Sequence, residues 1–164
     1  MASTLKNLSD FSHMDIPSAE GMAIALVVSE WNSEITHSLA EGAYNELIER
    51  GADKSAISVH YVPGTLELPQ AANIILNKNA VDGVICIGCV IQGETKHFDF
   101  ICDATAQGIT NCSLKHNVPV AFGVLTTNNL EQAQARSGGI HGNKGEEASV
   151  TIIKMIALNK SLNL

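Results

Sequence analysis

Four short apolar runs, set apart by stretches of helical period, constrain this chain more than any other feature. Met22 to Ser29 is the first, Ala56 to Val62 the second, Val81 to Ile91 the third and Val120 to Leu125 the fourth. The third is apolar apart from Asp82 and is punctuated by Gly83 and Gly88. Runs of this length and continuity are the pattern of strands covered on both faces, as in a parallel sheet. Between them, Ile35, Leu39, Ala43, Leu47 and Ile48 recur at helical spacing, with Asn32 or Ser33 able to cap the start and Gly51 to stop it. A second helix is expected from about Glu67 to Asn77 after the break at Pro63-Gly64, its Pro69 early enough to be tolerated. Phe98, Ile101, Cys102, Thr105, Ile109 and Cys112 mark a third, with Thr95 placed to cap it and an end near His116-Asn117. Asn128-x-x-Glu131 reads as a capping box for a short helix ending near Ser137, and Lys144 to Leu162 as a last helix. Strands alternating with helices predict an α/β fold of three layers, αβα, with a four-stranded parallel sheet and right-handed crossovers. The 164 residues are expected to form a flexible N-terminal arm, 1–20, and one domain, 21–164.

Composition removes several classes of function. The net charge is −7, and Arg50 and Arg136 are the only arginines beside eight dispersed lysines, so nucleic acid is not an expected partner. No apolar run approaches the ~20 residues that cross a bilayer. Apolar residues make up 45% and charged residues 16%, which points to surface buried between subunits. The last helix agrees, since Val150, Ile152, Ile153, Ile156, Ala157 and Leu158 form a stripe wider than one face needs. Cys86 and Cys89 form a C-x-x-C, but residues three apart on a strand point to opposite faces, which argues against a metal knuckle or redox pair. Four free thiols without a signal-peptide segment predict a reducing, cytoplasmic setting.

Ligands of open parallel sheets bind outside the carboxyl ends of the strands. The unusual residues collect there. Trp31, the only tryptophan, stands at a strand end, where it can serve packing or stack on a heterocycle. Asn32 beside it is a helix cap or a ligand contact. Glu67 can be a first-turn acid stabilised by the helix dipole or an acceptor for ligand hydroxyls. The turn Gly93-Glu94-Thr95 aims N–H groups outward ahead of a helix, which suits phosphate or carboxylate. His97 falls in the first helical turn, within reach of whatever binds at this turn, and is a candidate to carry a proton. Arg136, two residues before Gly138-Gly139, is a candidate phosphate clamp or a favourable charge at a helix end. Lys144 is exposed on local pattern alone. Nucleotide phosphate-loop motifs are absent, and no His, Cys and carboxylate set has metal-site spacing.

Four blocks, Pro63-Gly-Thr-Leu-Glu-Leu-Pro69, Gly88-Cys-Val-Ile-Gln-Gly-Glu-Thr-Lys-His-Phe98, Phe122-Gly-Val-Leu-Thr-Thr127 with Glu131-Gln-Ala133 and Arg136, and Gly142-Asn-Lys-Gly145, closely resemble the lumazine synthase family. The likeness runs from about Met22 to Leu158 and keeps the order and spacing of every block. It implies a flavodoxin-like sheet and the penultimate step of riboflavin biosynthesis. In that step 5-amino-6-(ribitylamino)uracil condenses with 3,4-dihydroxy-2-butanone 4-phosphate, releasing phosphate and water without metal or organic cofactor. The resemblance further implies that Trp31 stacks on the pyrimidine, while Asn32, Thr65, Leu66 and Glu67 hold the ribityl chain. It sets Cys89, Val90 and Ile91 along the pyrimidine, gives Gly93, Glu94 and Thr95 the phosphate, and makes His97 the proton shuttle.

By the same resemblance each site is completed by a neighbouring subunit of a pentamer, so that Phe122, Arg136 and Lys144 act across an interface, Arg136 on the phosphate. Pentamer, decamer and 60-subunit capsid all stay open, and riboflavin synthase is an implied further partner. Two positions depart from the common pattern: Trp31 stands where many members have Phe, and Gln92 where many have Arg or Lys. Two other readings use the same fold, a non-catalytic flavin- or lumazine-binding protein and a purely structural shell protein. His97 and Arg136 together weigh against the first, and the polar residues at the strand ends against the second.

Overall fold

The computed structural model describes residues 7–78 and 81–162. Its core is a parallel sheet in the order β2-β1-β3-β4, formed by β1 (Ile24–Ser29), β2 (Ile57–Val62), β3 (Gly83–Ile91) and β4 (Val120–Thr127). Strand parity sorts the apolar side chains into two layers. Ile24, Leu26 and Val28 of β1, with Ile85, Ile87 and Cys89 of β3, face α1 (Ser33–Glu49) and α5 (Lys144–Leu162). Ala25 and Val27, with Val84 and Cys86, face α2 (Leu68–Leu76) and α3 (His97–His116). Cys86 and Cys89 therefore lie in different layers, as their spacing predicted. Each fully buried leucine or isoleucine in these layers contributes about 1.5–3 kcal/mol. The three-layer αβα architecture expected from the alternation is the one observed.

Local details differ from the sequence-based expectations in instructive ways. Asn32 occupies the cap position of α1 without a side-chain capping bond, because its amide is engaged elsewhere. The helix expected to begin at a Thr95 cap starts instead after Lys96, and Thr95 Oγ1 accepts only a 3.4 Å bond from the His97 N–H. The capping box is shifted by one residue. Asn129 caps α4 (Leu130–Gln134) by accepting from the Gln132 N–H, and Gln132 Oε1 reaches back to the Asn128 N–H. Beyond α4, where a glycine interruption was expected, β5 (Ser137–Gly139) and β6 (Gly142–Asn143) form an antiparallel ribbon.

Residues 1–6 of the expected arm lie outside the described residues. Next to them, the Leu8 N–H donates to the His141 carbonyl at 2.8 Å and Ser9 Oγ accepts from the Asn143 N–H at 2.9 Å, so this segment lies along the ribbon. No helix among the described residues is long and apolar enough to cross a membrane.

Candidate active site

The strand order reverses between β1 and β3, and a cavity of about 470 Å³ opens at the carboxyl ends of these strands. Its walls come from three places. Trp31 and Asn32 follow β1, Gly64 to Glu67 follow β2, and the end of β3 runs through Gly93 and Thr95 into the first turns of α3.

The turn after β2 is a short 3₁₀ segment, Thr65–Glu67, that leads directly into α2. Thr65 is buried against Gly88, where any Cβ would sit about 2.9 Å from Thr65 Oγ1. Glycine at 88 is thus what lets the turn approach β3. The Thr65 carbonyl accepts from Thr105 Oγ1 of α3 at 3.4 Å, which ties the two sides of the cavity together. Glu67 is half-buried at the end of this turn, its carboxylate directed back over Gly64.

Opposite stands Trp31, 73% exposed, its backbone N–H bonded to the Pro63 carbonyl at 3.2 Å. The floor is Cys89, Val90 and Ile91, and Asn32 Nδ2 donates to the Cys89 carbonyl at 2.9 Å. Burial pushes the Cys89 thiol up to about 11, so it is a neutral group at physiological pH. His97 projects from the first turn of α3 on the solvent side.

Of the residues singled out from sequence, Trp31, Asn32, Thr65, Leu66, Glu67, Cys89, Val90, Ile91, Gly93, Thr95 and His97 share this one cavity. The others stand apart from its lining. Glu94 is exposed in the same loop. Phe122 is on the edge strand β4, 37% exposed. Arg136 follows α4 and donates from Nη1 to the Gln132 carbonyl at 3.0 Å. Lys144, read as exposed from its local pattern, is largely covered and paired with Glu147 at the start of α5. The cavity lining consequently contains no lysine or arginine. Sequence reasoning missed three lining residues, Gly64, Phe98 and Ile101. The last two carry the helical period that marks α3, and both are half-buried in the first turns of that helix, facing the cavity.

Residues 21–160 match the family model described as 6,7-dimethyl-8-ribityllumazine synthase. A protein of that name from Cytophaga hutchinsonii is 54% identical over 157 residues, covering 96% of this chain and 98% of its own. Another, from Porphyromonas gingivalis, is 46% identical over 160 residues, covering 98% and 99%. A third, from Phocaeicola vulgatus, is 44% identical over 162 residues, covering 99% and 96%. Since the likeness spans the sheet, the cavity-forming turns and the last helix alike, the chain belongs to the 6,7-dimethyl-8-ribityllumazine synthase family.

Proposed function

We propose that this chain makes 6,7-dimethyl-8-ribityllumazine in the cytoplasm by condensing 5-amino-6-(ribitylamino)uracil with 3,4-dihydroxy-2-butanone 4-phosphate. The observation that carries this reading is the convergence in one cavity of an exposed indole, a half-buried carboxylate and a first-turn histidine. Trp31 stacks on the pyrimidine face, and Glu67 with the Thr65–Leu66 turn accepts hydrogen bonds from the ribityl hydroxyls. The 5-amino group attacks the ketone of the four-carbon substrate and water leaves to give an imine. Phosphate is then eliminated, and the ribityl-bearing nitrogen closes the second ring with further loss of water. Each stage moves a proton on or off carbon, nitrogen or oxygen, and His97 is placed to carry it. No step requires a metal or an organic cofactor.

The phosphate sits at Gly93, Glu94 and Thr95. A dianion there meets no lysine or arginine in the cavity lining, in a chain of net charge −7. That deficit supports a site completed by another copy, with Arg136 clamping the phosphate, Lys144 adding charge and Phe122 closing the apolar side. The exposed apolar side chains of α5, Met155 and Leu158, and of α3, Phe100 and Leu114, support burial between copies in a homopentamer or a larger shell.

The test is formation of the lumazine chromophore from both substrates, with a control lacking the butanone phosphate. A protein-dependent rate above spontaneous condensation is expected. No acceleration, with riboflavin or lumazine still bound tightly, would replace the enzyme by a binding protein.

A further inference from the structure

The floor of the cavity is an unfinished ladder. Pairing of β3 with β1 ends at Ile87 opposite Val28, whereas its pairing with β4 continues to Ile91 opposite Thr127. Cys89 to Ile91 therefore have a strand on one side only. It is this one-sided stretch that lines the cavity. Beyond the end of β1, the Cys89 carbonyl accepts its bond from Asn32 Nδ2.

Asn32 reaches it because its backbone is left-handed, with φ 58° and ψ 46°. Asparagine tolerates that conformation better than most residues other than glycine. At the same time the Asn32 carbonyl accepts from the Ile35 and Thr36 N–H groups and starts α1. A carbonyl can only accept, so the carboxamide nitrogen must face Cys89. Asn32 Oδ1 then turns away from Cys89, without a partner among the described residues, on a side chain that lines the cavity.

We infer that Asn32 is a positioning residue. Its carboxamide stands in for the missing β1 partner of Cys89 and holds the Cys89–Ile91 floor at a fixed height against the Trp31 ring. The inference rests on the reading of this cavity as the substrate site.

The full-length protein carrying Asn32→Gly or Asn32→Asp tests it. Glycine adopts a φ of 58° freely, so the turn survives and only the carboxamide is lost. Aspartate keeps the shape but sets a carboxylate against the Cys89 carbonyl. The glycine variant should raise KM for the pyrimidine about tenfold and lower kcat, leaving KM for the butanone phosphate within about twofold. Amide hydrogen exchange in the peptide spanning residues 88–92 should quicken by about tenfold, with a melting temperature little changed. The aspartate variant should be worse on both counts. Pyrimidine KM and exchange both near wild type in the glycine variant would overturn the inference, and so would a fall in melting temperature as the sole change. Exchange is read without any reaction. Failure of the wild-type protein to make the lumazine would therefore count against the proposed function alone, and the positioning role of Asn32 would stand or fall on exchange.

Discussion

Gly145 lies against the main chain of Leu39, so close that a methyl group on it would overlap the Leu39 carbonyl oxygen. The contact is where α5 crosses α1, and both residues are buried. Asn143 locks the same crossing. Its Oδ1 accepts from the Gly145 N–H at 2.8 Å and its Nδ2 donates to the Ser38 carbonyl at 3.0 Å. Gly145→Ala should therefore destabilise the fold at the upper end of the overpacking range, about 3 kcal/mol, because the struck atom is backbone and cannot rotate away. A melting temperature lowered by roughly 10 °C is the expected reading. An unchanged melting temperature would mean that the crossing is looser than described.

Trp31 offers a measurement free of folding effects. Its side chain is mostly in solvent, so Trp31→Ala should change stability by no more than about 0.5 kcal/mol. A ring stacked on a heterocycle contributes about 0.5–1.5 kcal/mol beyond its buried area, so lumazine affinity should fall on the order of tenfold, and Trp31→Phe should recover most of it. As the only tryptophan, it also reports directly, and ligand should quench the emission of the unmodified protein. Quenching absent at saturating ligand would remove the stacking role.

The buried thiols set a pH limit. Burial raises Cys89 to about 11 and Cys86 further still, above the ordinary range of a thiol. In the alkaline window between that range and the folded value, the unfolded chain has released protons that the folded one retains. Stability is therefore full below the ordinary thiol range and is lost as pH rises towards about 11. Denaturant midpoints should fall over that window, and Cys89→Ala should flatten the fall. At about pH 8 the Cys89 thiolate fraction is on the order of a hundredfold below that of an unperturbed thiol, so alkylation of the folded protein should be slow. Rapid labelling of Cys89 at that pH would contradict its place in the floor.

Much of this was legible in the chain before folding, for a physical reason. Strand parity and helix period are local, so the assignment of Cys86 and Cys89 to opposite layers and the stripe Ile35, Leu39, Ala43, Leu47 followed from spacing alone. What escaped was set by distant partners. Asn32 looks like an ordinary cap until Cys89, 57 positions away, claims its amide. Phe98 and Ile101 carry the same periodic signal as the buried Ile109, and only the place of the first turns of α3 beside the cavity separates their roles. The ribbon of Ser137–Gly139 and Gly142–Asn143 has too few side chains to show any alternation. Arg136 stood out by its guanidinium beside two glycines and Lys144 by resemblance, and within one chain both stand outside the cavity lining.

That separation can be tested by complementation. If His97 and Arg136 act on one substrate from different subunits, His97→Ala and Arg136→Ala each leave every site of a uniform oligomer defective. The first should lower turnover by ~10² as a lost general acid–base, and the second should raise KM for the butanone phosphate or lower turnover by about tenfold or more. Unfolding the two variants together and refolding them as mixed oligomers pairs subunits at random, so about a quarter of the interfaces recover both an intact His97 and an intact Arg136. Activity should then rise well above that of either parent, towards about a quarter of wild type. Mixing the folded variants without subunit exchange should give only the average of the two. If refolded mixtures also give no more than that average, both residues act within one subunit, and the Arg136 bond to Gln132 must then break to bring the guanidinium to the cavity.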